Sequence, residues 1–366
     1  MPARHSRSFS PDARPPGFGR TLLADLQQPG LSGSIWRDLQ DLYAFYLSED
    51  ERDRLRRMGR LRRWFNTFRW VVASLGRNLA PPRRLILLAA VVAVGLGLYR
   101  DRVPEVVVGF ALVVAVLMFE LRDKLLARDE LEIGRAVQLA LLPDRHPVLA
   151  GWDIWLYTRP ANDVGGDLID HLAHDDGRLD VALGDVAGKG LGAALLMAKL
   201  QSTLRAWAID AASLSDLGAR ANVILCRDGL ANRFATLVYL RLVPSVGTVG
   251  LLNAGHCRPL VISAGGIAAL PPVALPLGID PTAVYEEQRV TMAPGEMLLV
   301  YSDGLSEAID EAGQMFGDER VLDLAAHLDG MTATAAGQRV LTALAEFAGR
   351  ARPIDDLSLA VLRRTS

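Results

Sequence analysis

The chain has 366 residues, with 40 Lys and Arg against 42 Asp and Glu, a formal net charge of -2 and a pI near 6.3. That balance excludes a nucleic-acid-binding protein as a whole. Its two cysteines, Cys226 and Cys257, exclude a disulfide framework or a set of spaced thiolate ligands, which places the globular part in a reducing compartment.

The length suggests roughly two to three folded units. Residues 1–30 have arginine and proline but no continuous apolar core, and read as a disordered tail instead of a cleavable signal. Residues 31–84 form a basic region. Between Arg52 and Arg84, Arg54, Arg56, Arg57, Arg60, Arg62, Arg63, Arg69, Arg77 and Arg83 are opposed only by Asp53, and they interleave with Trp64, Phe65, Phe68 and Trp70. This is the composition of an amphipathic helical segment lying among lipid headgroups. Two uncharged apolar runs follow, Leu85 to Tyr99 and Val106 to Phe119, joined by RDRVPE. Each is shorter than the roughly 20 residues that span a bilayer comfortably, so a buried helical pair is the competing reading. The flanking Arg83, Arg84, Arg122 and Lys124 favour a membrane hairpin over residues 85–119, with both ends on the cytoplasmic side.

Residues 120–143 carry Leu121, Leu125, Ile133, Ala136, Val137, Ala140 and Leu141 near helical spacing and stop at Pro143. This is a helical linker, either a solvated connector or a parallel coiled coil pairing two copies of the chain. From residue 144 to 366 the pattern becomes mixed. WDIWLYTRPA and RLDVALGDVAG alternate like strands, and GLGAALLMAKLQSTLRAWAI has helical periodicity, with a second helix expected after it. TLVYLRLV, TVGLLNAG and PLVISAG come in close succession between turn residues, as antiparallel neighbours would. GEMLLVYSDG reads as a strand, ERVLDLAAHL and AAGQRVLTALAEFAGR as helices, and DDLSLAVLRR as a closing strand. The absence of regular strand-helix-strand alternation argues for an α+β domain built on antiparallel sheets.

Four acidic sites share one habit, lying at strand ends beside glycine or a turn: Asp167 in VGGD, Asp185 in GDVAGKG, Asp303 in YSDG, and Asp355 with Asp356 in PIDD. Singly, each is better read as a turn residue. If the ends converge, the crowded carboxylates must take up protons or cations, and oxygen ligands without a His or Cys cluster favour Mg2+ or Mn2+ over zinc. The paired glycines before Asp167 fit a backbone that must approach something closely.

At these residues the chain resembles the metal-dependent type 2C serine/threonine phosphatases, and specifically their bacterial SpoIIE-type branch. The ordered set EIGRAVQLALLP, PANDVGGDLID, GDVAGKGLGAALLMA, FATLVYL, NAGHCRPL, PLGI, YSDGLSEA and DDLSLAVL carries the resemblance from about Glu132 to Arg363. It implies an α-β-β-α sandwich, two antiparallel sheets flanked by helices, with two Mn2+ or Mg2+ ions at one edge and a metal-activated water as the nucleophile. It further implies that Asp185 bridges the metals beside the Val186 carbonyl, that Asp303 and Asp355 hold the first metal, and that Asp167 serves the second. Asp356 is expected as a supporting carboxylate. Gly188 and Gly190 are expected to complete the turn before the helix.

The sequence departs from the family at Lys189, where SpoIIE-type members usually have histidine, and at Ala187, where many eukaryotic relatives carry the histidine thought to protonate the leaving group. The general acid is thereby unassigned; Lys189 is either a phosphate contact or an exposed helix-start lysine. His256 is expected to pack its loop instead of binding metal. The implied activity is hydrolysis of phosphoserine or phosphothreonine on a partner protein, in this family often a STAS-type anti-anti-sigma factor. The enzyme is expected at the inner membrane with its phosphatase domain in the cytoplasm and as a homodimer through the linker helix. A membrane-bound nucleotide cyclase, which also follows a membrane segment and stalk with a two-metal carboxylate site, and a catalytically inactive dimeric scaffold are the alternatives.

Overall fold

The computed structural model describes residues 79–366, apart from 144, 163, 229–232 and 245–246, together with a few positions between 59 and 76. The expected N-terminal tail and most of the basic amphipathic region lie outside the described residues. The chain divides into two compact units, residues 1–123 and 124–366.

In the first unit, helix α1 (Pro81–Tyr99) starts on two prolines, whose fixed φ and missing N–H suit a first turn. It closes where the Arg100 N–H donates to the Leu96 carbonyl. Asp101 turns the chain with a φ of 50°, a left-handed value Asp tolerates. Helix α2 (Val103–Leu141) then runs 39 residues without a break, so the second apolar run and the charged linker are one helix. The facing surfaces of α1 and α2 use small residues. A Cβ on Gly97 would stand 2.7 Å from the Val106 side chain, and one on Gly109 would stand 2.7 Å from the Ala90 carbonyl. Ala90 and Val116 are buried between the helices, while Leu85, Leu88, Val91, Leu98, Phe110 and Leu117 point outward and exposed. Both helices are long and apolar enough to cross a membrane. Close backbone approach through Gly and Ala is how helices pack when the surroundings are as apolar as their side chains.

In the second unit, ten strands form two five-stranded sheets in which every described pairing is antiparallel. One sheet has the order β1 (Trp152–Arg159), β10 (Leu357–Arg364), β9 (Met297–Tyr301), β6 (Leu260–Ser263), β7 (Gly266–Ala269). The other has β2 (Leu168–Ala173), β3 (Leu179–Val186), β4 (Ala235–Leu242), β5 (Thr248–Ala254), β8 (Gln288–Thr291). The alternation of each strand supplies two apolar faces. Ile154, Leu156, Val181, Leu183, Val238, Leu240, Leu298 and Val300 fill the space between the sheets. The opposite face of the β2–β8 sheet packs on α3 (Leu191–Ala208) and α4 (Leu214–Asp228) through Leu237, Tyr239, Leu200 and Leu217. The outer face of the β1–β7 sheet packs on α6 (Gly317–Ala325) and α7 (Ala333–Ala348) through Trp155, Leu359, Val321 and Val340. A short helix, α5 (Asp303–Ser306), follows β9. This is the expected α-β-β-α sandwich.

One expectation is corrected. TLVYLRLV and TVGLLNAG pair as neighbours β4 and β5, but PLVISAG becomes β6 of the other sheet, beside β9. The loop around Asn253 carries the chain across between the layers: Asn253 Nδ2 donates to the carbonyls of His256 and Cys257 while its Oδ1 accepts from the His256 N–H.

Asp180 is 1% exposed yet ionic partners surround it. Arg241 grips it with two hydrogen bonds of 2.8 and 2.9 Å, the Tyr239 hydroxyl donates at 2.9 Å, and His174 lies at 2.8 Å. Removing one member strands a buried charge, which costs about 3–5 kcal/mol. Asp180→Ala should therefore lower unfolding stability by about that much in chemical denaturation, and Asp180→Leu with Arg241→Met should recover most of it.

Candidate metal centre

The four acidic motifs meet where the two sheets end. β3 delivers Asp185 from one sheet, β9 leads into Asp303 at the start of α5, and Asp355 precedes β10 in the other sheet. Asp167 enters on the loop before β2. A Cβ on Gly166 would stand 2.9 Å from the Val186 carbonyl oxygen and 3.1 Å from Asp185 Oδ1. The double glycine thus lets one loop lie directly against the Asp185–Val186 backbone, which a side chain there would prevent.

Asp356 has a different role from its neighbour. Its Oδ2 accepts from the Gly166 N–H at 2.6 Å and its Oδ1 from the Ala161 N–H at 2.7 Å, so it straps the PANDVGG loop to β10. The same loop is gripped from the other side by Gln138 of α2, whose amide donates to the Gly165 carbonyl at 2.8 Å and accepts from the Gly165 N–H at 3.0 Å. The sequence reading did not anticipate this clamp, although Gln138 stands inside EIGRAVQLALLP. Its polar side chain in an otherwise apolar stretch was the available signal.

The electrostatics follow from crowding. Asp167 is 4% exposed, and burial, followed by the charges of Asp185 and Asp356, raises its pKa far above the usual carboxylate range; the hydroxyls of Ser358 and Ser302 act in the opposite sense. Its Oδ2 is buried with no hydrogen-bond partner. Burial, then Asp303, Asp355 and Asp356, raise Asp185 to about 7. Burial, then Asp355 and Glu307, raise Asp303 to about 6. Asp167, Asp185, Asp303 and Asp355 therefore share one electrostatic site, and each carboxylate makes ionisation of its neighbours harder.

Lys189 answers part of that charge. Its ammonium lies 3.0 Å from Asp355 Oδ2 and donates to the Ile354 carbonyl at 2.8 Å. Gly188 and Gly190, with φ of 108° and 76°, make the turn that presents it ahead of α3. Among the described residues no three His, Cys, Asp or Glu side chains close into a ready cage for an ion. The donor set still fits a hard divalent cation: all its side-chain donors are carboxylate oxygens, one of them a buried orphan, and a backbone carbonyl lies alongside. A cleft of about 390 Å3 opens beside Asp355, lined in part by Tyr157, Arg159, Gly304 and Ile354.

Neither cysteine belongs to this chemistry. Burial, followed by the charges of Asp303 and Asp318, pushes the Cys257 thiol up to about 12, and Cys226 is also raised, mainly by burial. Neither supplies a thiolate nucleophile at neutral pH.

Comparison with known proteins agrees with the fold. The family model for stage II sporulation protein E (SpoIIE) matches residues 175–365. Protein IcfG of Synechocystis is 30% identical over 224 residues, covering 54% of this chain and 35% of that protein. The phosphoserine phosphatase RsbU of Bacillus subtilis is 27% identical over 188 residues, 51% of this chain and 56% of RsbU. The chain thus spans about a third to a little over half of these relatives. Among solved structures, the RsbU and RsbW domains of Rv1364c from Mycobacterium tuberculosis superpose with a TM-score of 0.51 at 26% identity, over 60% of this chain and 61% of that one. The SiaA-PP2C domain of Pseudomonas aeruginosa superposes with a TM-score of 0.57 at 20% identity, over 66% of this chain and 98% of that one. A family match over more than half of the chain, on a sandwich shared with these phosphatase domains, shows that the chain belongs to the SpoIIE family of type 2C serine/threonine phosphatases.

Proposed function

We propose that the protein is a membrane-tethered phosphatase that removes phosphate from phosphoserine or phosphothreonine on a partner protein, using two Mn2+ or Mg2+ ions held by Asp167, Asp185, Asp303, Asp355 and the Val186 carbonyl. The observation that carries the reading is the convergence of four acidic side chains from both sheets, with the ionisation of Asp167, Asp185 and Asp303 suppressed and one oxygen of Asp167 orphaned. When bound, such a pair of ions supplies an acidified water as nucleophile and neutralises charge on the phosphoryl oxygens.

The chain's own residues do the rest. Asp185, whose ionisation is opposed by Asp303 and Asp355 and which in turn opposes that of Asp167, would be the carboxylate shared by the ions. Asp356 and Gln138 hold the Gly165–Gly166 backbone against it, so the donors need not reorganise. Lys189, whose ammonium pairs with Asp355 and donates to the Ile354 carbonyl, would be a candidate phosphate contact when Asp355 holds a cation. The cleft beside Asp355, with Arg159 on its wall, suits the polypeptide flanking a phosphorylated residue. The name of RsbU as a phosphoserine phosphatase supports the substrate class, and a STAS-type anti-anti-sigma factor is the partner this family suggests. The hairpin of α1 and α2, with apolar side chains outward and Gly and Ala inward, supports anchoring at the inner membrane with the catalytic unit in the cytoplasm. Pairing of two copies through the α2 linker is part of the same proposal.

In detergent with Mn2+, the full chain should release phosphate from a phosphoserine protein and make no cyclic nucleotide from ATP or GTP. Asp185→Asn and Asp303→Asn should each lower turnover by at least about 100-fold with unchanged circular dichroism; unaltered rates in both would remove the assigned roles.

Protons and metal compete for the same oxygens. Raised folded-state values mean that the metal-free protein holds more protons than the unfolded chain between about pH 4 and 7. The stability contributed by these neutral carboxyls is fully present below pH 4 and is lost as pH rises through about 6 and 7, the values of Asp303 and Asp185. Denaturant melts in EDTA should show this loss between pH 5 and 8, and Mn2+ affinity measured by calorimetry should rise over the same interval with proton release.

Membrane attachment is tested by fractionation. The full chain should sediment with membranes and a version beginning at residue 124 should not.

A further inference from the structure

His256 lies 5% exposed in the NAGHC segment, outside the carboxylate cluster, on the connection from β5 of one sheet to β6 of the other. Its Nδ1 is 2.7 Å from Thr236 Oγ1. Thr236 pairs with Asp185 across β3 and β4, and its hydroxyl is 3.4 Å from the Asp185 carbonyl oxygen. His256 and Tyr301 line the same cleft, and the Tyr301 backbone acts to raise the imidazole pKa against the larger effect of burial. Tyr301 ends β9, two residues before Asp303.

The proton arrangement follows from these contacts. The 2.7 Å contact is a full hydrogen bond and the 3.4 Å one is weak, so the threonine proton belongs to Nδ1 and the ring proton to Nε2. Burial pushes the imidazole down to about 4, which keeps the ring neutral and gives it one donor and one acceptor. Nε2 is buried with no hydrogen-bond partner. An apolar ring would fill the same space without a buried orphan nitrogen, whose desolvation is costly. The polar ring therefore has work to do at its other end.

The loop is built to hold it. Asn253 Oδ1 accepts from the His256 N–H at 2.8 Å, and a φ of 67° at Gly255 makes the bend. β3 and β4 belong to one sheet and β9 to the other, so His256 spans the layer boundary at the end where Asp185 and Asp303 face one another.

We propose that His256 is a positioning residue that sets the divalent-ion affinity of the carboxylate cluster by bracing the β3–β4 ends, which carry Asp185, against the end of β9 that leads into Asp303. The inference rests on the metal reading above and adds to it a residue that touches neither ion nor substrate. Partners of this kind, one shell away from the donors, typically govern about 10–100-fold in metal affinity.

The test is a mutant cycle on the full chain in detergent, with Mn2+ affinity read by calorimetry and thermal stability read separately in EDTA. Thr236→Val removes the hydroxyl and keeps the shape, so it should weaken Mn2+ binding by about 10-fold with little change in the metal-free melting temperature. His256→Gln should weaken binding at least as much. The double variant should be no weaker than His256→Gln alone, because the two act through one contact. Thr236→Ser, which retains the hydroxyl, should restore affinity, and excess Mn2+ should recover kcat in Thr236→Val with KM unchanged. Additive losses in the double variant, or Thr236→Val and His256→Gln that change melting temperature while binding Mn2+ like the wild type, would overturn the inference alone. A wild-type protein that takes up no Mn2+ would overturn the metal reading and this inference with it.

Discussion

The structure is organised around an electrostatic conflict. Asp167, Asp185 and Asp303 are brought together beside Asp355 in a partly dry cleft, where burial and the neighbouring charges raise the cost of ionising the three. Such an assembly is destabilising by itself and must be held by everything around it. The sandwich provides that hold, because its two sheets end together and three separate apolar layers fix the strand ends that carry the acids. The cluster stores a preference for cations that the folding of the core has already met.

The groups immediately behind the acids are mostly neutral. Asp356 is the exception in charge, but both of its oxygens are turned to backbone N–H groups, so it works as a strap. Gln138, Ser302, Ser358, Thr236 and His256 are uncharged donors and acceptors that fix backbone position without adding to the repulsion. Lys189 faces the cluster with a positive charge on the more exposed side, where water screens its pair with Asp355.

Much of this was legible in the sequence, for reasons that differ by element. Long strands with full alternation, such as β4 and β10, and helices with a strong apolar stripe, such as α7, declare themselves locally. The edge strands β7 and β8 are four residues each and half exposed, too short to show a period. β2 was hidden because LIDHLA mixes a buried Asp170, paired with Arg205, into its apolar pattern. The assignment of β6 to the other sheet could not be read from adjacency, since a chain reversal and a layer change begin with the same turn residues. The acidic positions were recognisable by their shared glycine and turn context. The partners that hold them, Gln138 and Thr236, lie 27 residues from Gly165 and 20 residues from His256, and only the folded chain shows what they grip.

The strand order has a bearing on synthesis. β10 sits between β1 and β9 as an interior strand, and the turn immediately ahead of it carries Asp355 and Asp356. It is also the last strand of the sandwich to leave the ribosome. Until it does, β1 and β9 have no common neighbour and the loop bearing the paired glycines has no strap. The sheet therefore closes only when its last strand is made, and a frameshift or stop codon late in the message removes the centre of one sheet and the acidic pair in the same stroke.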